Sequence, residues 1–436
     1  MKRTIFALTA AAFLGFSFAG CQRGSSAGGG ASSAGGGTVT LTFMGWEASP
    51  LETQAVRNGI AAFEAANPGI KVVYTPTSGD YGAKLLSSIA GNSPPDVFFC
   101  GSDFYRTLIS RGVLLDITDR FTSQFPLDDF IASSRTIMEI DGRVYGISSC
   151  SVSPIIYYNK ALFDKYGEPY PSADVSRIWT IDEFRAVAKR LTKDGIYGCY
   201  GLESNGGMIF AQISSGGGAP FSPDGLTCTY NSPEVKRVLQ TIKAIRVEDG
   251  SMPASSTLEN IGMNAAQMLQ TGRVAMLMDG SWALQQLSTL DFPVGIAPIP
   301  SYGNPITTGQ AHLHSIAKAS KHPEEAWKFL QFLSGMEYQG QLCKEGLWLP
   351  NRYSLWADGP AGIDGWYDEA RLGPYYRQMR EYLRDVAVAP EAMAKLQITM
   401  DIISEEQDKY FKDNEDISVI LGNIERRANG ELKSIQ

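Results

Sequence analysis

Hydrophobic and polar positions alternate with period two from Thr38 to Phe43, an opening strand. The period then becomes helical through Val56, Ile60 and Phe63, until Asn67-Pro68-Gly69 stops the helix before a strand from Ile70 to Tyr74. A second helix on Leu85, Leu86 and Ile89 is broken by Gly91 to Pro95 and followed by a strand from Asp96 to Cys100. Strand, helix, strand, helix, strand predicts an α/β fold with a mostly parallel sheet. Ligands of such sheets sit outside the carboxyl ends of the strands. That places Trp46, Glu47 and the run Gly101-Ser102-Asp103-Phe104 at one rim.

The pattern changes between Asp141 and Lys160. Arg143 to Ile147 alternate and end against serines, and Ile155 to Tyr158 form a second apolar run after Pro154, so two short strands are expected around a serine-rich break. Asn159 can cap a short helix from Lys160 to Tyr166 that Gly167 stops. Two readings fit: a crossing between two lobes, or a strand-loop-strand-helix inside one domain. Beyond it, Thr180 and Glu183 frame a capping box ahead of Phe184, Val187, Ala188 and Leu191. A helix is expected over 258–269, then a turn and a buried strand in Gly272-Arg-Val-Ala-Met-Leu-Met-Asp-Gly-Ser-Trp282. Val294 to Pro300 and Ala311 to Ala317 are further strands, Ala326, Trp327, Leu330 and Leu333 share a helical face, and the tail is helical, with Leu396, Met400 and Ile403 on one face.

The amino terminus alters the picture of where this domain works. Lys2 and Arg3 precede an apolar core and then Ala19-Gly20-Cys21, the order of a secretory signal over 1–20. Residues 22–37 are almost all Gly, Ser and Ala, a tether of roughly 20–25 Å root-mean-square length. Loss of the signal takes the formal charge from -8 to about -10, which argues against nucleic acid and anionic ligands. Some 400 residues after the tether fit two lobes better than one core. Five cysteines remain after Cys21, and Cys199 with Cys228, both in strand-like contexts, are the favoured pair if any oxidise.

Several runs resemble one family, the sugar-binding proteins of ATP-binding-cassette (ABC) importers, of maltose-binding-protein type. They are Gly-x-x-Tyr-Gly before the serine and proline break with Tyr-Asn-Lys-x-x-Phe after it, Pro-Asp-Val-Phe, Gly-x-x-Ala-Met followed by Gly-x-Trp at Trp282, and Ser320-Lys-His-Pro-Glu-Glu-Ala-Trp327. Ala19-Gly20-Cys21 likewise resembles the lipobox of bacterial lipoproteins, with Cys21 the lipid-modified first residue, although Phe18 departs from the usual aliphatic residue. The resemblance implies a two-lobe periplasmic-binding-protein fold of type II with a hinge between lobes. Lobe 1 would be 38–148 plus 302–345, and lobe 2 would be 149–301 plus 346–436, with crossings near 146–153, 298–303 and 346. It also implies a lipid-anchored, extracytoplasmic monomer with a carbohydrate ligand, docking on the membrane permease subunits of an importer.

The expected ligand-binding residues are Trp46, Glu47, Asp80, Tyr81, Asp103, Phe104, Trp282, Gln310, His312 and Trp348. A flat aromatic face presents apolar area at little conformational cost, and the CH-rich face of a pyranose lies well on it. Carboxylates, carboxamides and imidazoles serve sugar hydroxyls. Each is also readable as a core residue, loop cap or solvated side chain. His312 and His314 share one strand face, yet zinc would need more ligands than the motif supplies, so no metal, cofactor or catalytic residue is expected. A secreted glycoside hydrolase would need two carboxyls flanking the scissile bond, and no stretch isolates such a pair; a Gly-x-Ser-x-Gly elbow is absent too. A non-sugar solute, or a signalling receptor as the partner, remains an alternative.

Overall fold

The computed structural model describes residues 37–436 apart from 48, 204, 205, 255–262, 264, 374, 389–396 and 436. The expected signal, Cys21 and most of the tether lie outside the described residues, as do Leu396 and half of the helix expected over 258–269, whose described end is helical from Ala265 to Gln270.

Strand β1 (Val39–Trp46) turns Leu41, Phe43 and Gly45 into the core. Helix α1 (Pro50–Ala66) starts where the Ser49 hydroxyl accepts the Glu52 N–H at 3.1 Å, and it buries Val56, Ile60 and Phe63. Strand β2 (Ile70–Thr77), helix α2 (Tyr81–Ala90), strand β3 (Val97–Cys100) and helix α3 (Ser102–Ser110) follow, with β2 and β3 flanking β1 in parallel. Six more strands are β4 (Gly146–Val152), β5 (Pro154–Asn159), β6 (Tyr197–Tyr200), β7 (Val274–Gly280), β8 (Val294–Ala297) and β9 (Gln310–Ile316). They complete two sheets, one ordered β2-β1-β3-β9-β4 and the other β8-β5-β7-β6. In the first, β9 is antiparallel to both β3 and β4; in the second, β5 is antiparallel to β8 and β7 while β6 runs parallel to β7.

The serine-rich stretch does not break the strand. Ser148, Ser149 and Ser151 are buried inside β4, which continues to Val152. Their small side chains let neighbouring chain approach, as where Asn351 donates to the Ser148 carbonyl. The change of sheet falls at Ser153, because Pro154 has no N–H to continue the ladder.

Helix α4 (Lys160–Tyr166) is capped by Asn159 and ended by Gly167 at φ 70°, and α5 (Ile181–Leu191) carries the expected capping box of Thr180 and Glu183. Further helices are α6 (Gly206–Ser215), α7 (Pro233–Val247), α8 (Pro323–Leu333), α9 (Met336–Lys344), α10 (Gln397–Phe411) and α11 (Ile417–Leu432). The last two return to the second sheet's helices: Lys243 of α7 donates to the Tyr410 carbonyl at 2.8 Å, and Asn429 accepts the Cys228 N–H at 2.7 Å.

No disulfide joins the described cysteines, so the expected pairing of Cys199 with Cys228 is corrected. Cys199 is a buried thiol in β6, whereas Cys228 is buried in a loop that bridges Phe221 and is held by Asn429. Among the described residues no helix is long and apolar enough to cross a membrane.

One glycine tests the packing of α5 on β6. A Cβ on Gly198 would stand 1.9 Å from the Ala188 carbonyl oxygen, a backbone atom that cannot swing aside. Gly198→Ala is expected to cost about 1–3 kcal/mol by overpacking. Urea unfolding measures it, and an unchanged midpoint would show that helix and strand are not in this contact.

Candidate functional site

The registers bring the functional ends of both sheets to one place. In the first sheet, Trp46 ends β1 opposite Thr77, Cys100 ends β3 opposite Leu313, and Gln310 opens β9 opposite Val152. In the second, Pro154 opens β5 opposite Gly280, and Tyr200 ends β6 opposite Leu277. Ser153 alone links Val152 to Pro154, so the two rows of strand ends meet there. Two other segments run beside it. Leu349 exchanges backbone hydrogen bonds with Ser151 at 2.8 and 3.0 Å, and the Thr307 hydroxyl donates to the Pro154 carbonyl at 3.1 Å.

Trp282 sits in the tight turn Ser281–Ala283 directly after β7. That turn is fixed from three directions: the Ser281 N–H donates to the Ser153 carbonyl at 2.9 Å, the Tyr157 hydroxyl to the Gly280 carbonyl at 2.9 Å, and the Tyr376 hydroxyl to the Ser281 carbonyl at 3.0 Å. The six-membered ring of the indole occupies the place a Cβ on Gly280 would take, within 2.2–2.3 Å, so only glycine admits this rotamer. Trp282 is nevertheless 38% exposed, in a protein that buries Trp348, Trp356 and Trp366 almost fully. A rigidly held, open aromatic face at a strand end is what a sugar ring needs.

On the first-sheet side, Trp46 is half-buried and stands edge-on to Tyr81, Phe99 and His312, with ring centroids 5.6, 4.8 and 4.9 Å away. Glu47 is exposed, and one of its carboxylate oxygens accepts the Thr53 hydroxyl at 3.4 Å. Other expected contacts are taken up structurally. Asp80 caps α2 by accepting the Ala83 N–H at 2.9 Å. Tyr81 is buried and donates to the Phe99 carbonyl at 2.6 Å. Trp348 is 1% exposed, edge-on to His312, and its indole N–H donates to Glu52 at 3.3 Å, so it offers no open stacking face. The side chains of Asp103, Phe104 and Gln310 lie outside the described residues. Burial pushes His312 down to about 4 and His314 well below the ordinary imidazole value, which keeps both imidazoles neutral. Among the described residues no cluster of three or more His, Cys, Asp or Glu could hold a metal ion.

Three polar residues not singled out from the sequence, Asp279, Tyr200 and Glu203, stand at the second sheet's strand ends, with Arg246 beside them. Asp279 precedes Gly280 and accepts its N–H at 2.7 Å. Burial lifts Asp279 to about 6, partly opposed by the Gly280 N–H it accepts. Glu203, just past β6, pairs with buried Arg246 at the end of α7, and Arg246 acts on Tyr200. Each of these two charged groups keeps one buried atom without a hydrogen bond, Oε2 of Glu203 and Nη1 of Arg246. The available signal was position: an acidic residue at or just past the carboxyl end of a strand.

Two sheets joined at Ser153, with the strand ends of both gathered there and a fixed open aromatic among them, define a two-lobe binding protein. The chain belongs to the bacterial extracellular solute-binding protein family, whose profile matches residues 49–340. It is a family of binding proteins, not enzymes. Its relatives include the maltodextrin-binding protein MdxE of Bacillus subtilis, 27% identical over 343 residues and 75% of each chain. The galactooligosaccharide-binding protein of the same organism is 24% identical over 376 residues, 83% of this chain and 82% of that one. Among solved structures, an ABC substrate-binding protein of Listeria monocytogenes in complex with cycloalternan superposes with TM-score 0.76 at 24% identity, covering 91% of this chain and 99% of that one. The likeness shows the fold, the type II periplasmic-binding-protein architecture.

Proposed function

We propose that this protein captures a carbohydrate, an oligosaccharide, between two lobes and delivers it to the permease subunits of an ABC importer. The lobes follow the division expected from the sequence, 38–148 with 302–345 and 149–301 with 346–436, except that the first boundary moves to Ser153, where β4 ends and the chain changes sheet, and they turn on the three segments that run beside one another there. Binding energy goes into closure, and no bond is broken. The observation that carries this reading is Trp282, open to solvent yet fixed by Gly280 and three hydrogen-bonded anchors. Trp46, Glu47 and His312 supply the facing rim; Asp103, Phe104 and Gln310 belong to the same rim by position. The oligosaccharide-binding relatives support the ligand class. Cys21 carries the lipid anchor, and the protein works as a monomer on the outer side of a bacterial membrane.

Thermal unfolding of the chain with maltotriose, a galacto-oligosaccharide, sugar alcohols and dipeptides tests this. A ligand at 100 times its Kd stabilises the fold by about 2.7 kcal/mol. A raised midpoint with one saccharide, recovered chemically unchanged, is the expected result. A midpoint raised only by a dipeptide, or a saccharide converted to product, would overturn it.

A further inference from the structure

Of the three hydrogen bonds that hold the Trp282 turn, two come from strand β5 and the residue before it, Tyr157 and Ser153. The third comes from the carboxyl-terminal part of the chain, where the Tyr376 hydroxyl donates to the Ser281 carbonyl at 3.0 Å. Around Tyr376 the backbone offers little to fix a side chain. Between Tyr353 and Gln378 the described helices are Tyr353–Trp356, Ile363–Trp366, Glu369–Leu372 and Tyr375–Gln378, about one turn each. Buried aromatic side chains supply the order instead. The Trp356 indole N–H donates to the Pro350 carbonyl at 2.8 Å, the Trp366 indole N–H to the Leu355 carbonyl at 2.7 Å, and the two indoles meet edge-on with centroids 5.4 Å apart. Tyr367 stacks on Tyr376 with centroids 5.9 Å apart and an interplanar angle of 27°, and its hydroxyl accepts the Tyr376 N–H at 3.1 Å. All four rings are buried. Pro350 adjoins Leu349, so this ladder starts at the crossing beside Ser151 and ends on the platform turn.

We propose that Tyr376 is a positioning residue for Trp282: through the Ser281 carbonyl it sets the tilt of the turn, and through the ladder it ties that tilt to the crossing segment. This rests on the carbohydrate reading above. The Ser281 carbonyl also accepts the Leu284 N–H, so loss of the Tyr376 hydroxyl strands no buried acceptor and leaves the turn closed. What it removes is the one anchor of the three that comes from the tail. The indole lies against Gly280 with no spare room, so a change in the tilt of the turn carries the whole ring with it. A pyranose stacks well only where the aromatic face meets its own face squarely, and a platform already held at that tilt spends no binding energy on reaching it.

The test uses the whole chain. Tryptophan emission without ligand is measured for the native protein and for Tyr376→Phe, and the emission of each with Trp282→Phe added is subtracted to isolate Trp282. Tyr230→Phe, treated in the same way, is the control, since it removes a buried hydroxyl that accepts from Gln407. The expected result is a Trp282 component displaced in Tyr376→Phe and native in Tyr230→Phe, although both variants lower the urea midpoint. Calorimetric titration with maltotriose and a galacto-oligosaccharide should then show affinity weakened about three- to tenfold in Tyr376→Phe, the size of one neutral hydrogen bond, and unchanged in Tyr230→Phe. A Trp282 component that is native in Tyr376→Phe, or moved equally by Tyr230→Phe, would overturn the proposal, as would native affinity in Tyr376→Phe for a saccharide that binds. A displaced component in a protein that binds neither saccharide would uphold the positioning role and sink the carbohydrate reading, so the two fail separately.

Discussion

Trp282→Ala should abolish most saccharide binding while leaving the fold intact. The ring is 38% exposed, and its contact with Gly280 is a surface contact at a strand end, so truncation removes little of the core. What disappears is the apolar face on which a pyranose would lie. Central aromatics of this kind are worth about 2–3 kcal/mol on truncation, roughly 30- to 150-fold in Kd. Calorimetric titration with the saccharide that stabilises the native protein measures this directly, and the unfolding midpoint without ligand serves as the control. Unchanged affinity would remove Trp282 from the site. Trp348→Phe gives a contrast, because that indole is buried against His312 and Glu52 and its loss should register in stability first.

Glu52→Gln should stabilise the protein at pH 8 and change little at pH 5. Glu52 is buried in the first turn of α1, where burial lifts its carboxyl from the ordinary 4.5 to about 7, partly opposed by the Trp348 indole N–H. Tyr74, Tyr338 and Cys150 feel its charge, and its Oε1 has no hydrogen-bond partner. A folded-state value raised above the unfolded one means that the favourable, protonated form is fully present below 4.5 and its contribution is lost as the pH rises through about 7. The shift corresponds to on the order of 3 kcal/mol at pH 8. Glutamine keeps an acceptor for Trp348 and cannot ionise, so its stability should be flat across that window. Urea unfolding of both proteins at pH 5 and 8 decides the matter; parallel pH profiles would mean that Glu52 is not buried as a charge.

The elements set by local rules were legible in the sequence: the Asn159 cap and Gly167 stop of α4, the Thr180 and Glu183 box of α5, and the strand that runs into Trp282. Each depends on chemistry within a few residues. The serine stretch misled because hydroxyl side chains usually signal a loop, while here they line a buried strand against other chain segments from far along the sequence. Trp348 and Tyr81 show the same limit at the site. A tryptophan beside a glycine looks the same whether it faces a cleft or a core, and only the packing of Glu52 and His312, some 296 and 36 residues away from Trp348, turned it inward. Asp279 went unnoticed although it adjoins the Gly-Ser-Trp run, since only the fold shows that it is buried beside Tyr157 and Tyr200 at the strand end.

The five buried thiols bear on how this protein survives outside the cytoplasm. Cys100, Cys150, Cys199, Cys228 and Cys343 all lie inside the fold, and burial raises Cys150, Cys199, Cys228 and Cys343 so that little reactive thiolate forms. Among the described residues the native state uses no disulfide, and these five thiols are closed to an oxidant. An opened molecule is in the opposite position, because every sulfur becomes reachable and any bond between two of them is non-native. Refolding in an oxidising medium is thus a race between burial and crosslinking, which makes the rate of unfolding, more than the depth of the native well, the quantity that sets the protein's working lifetime.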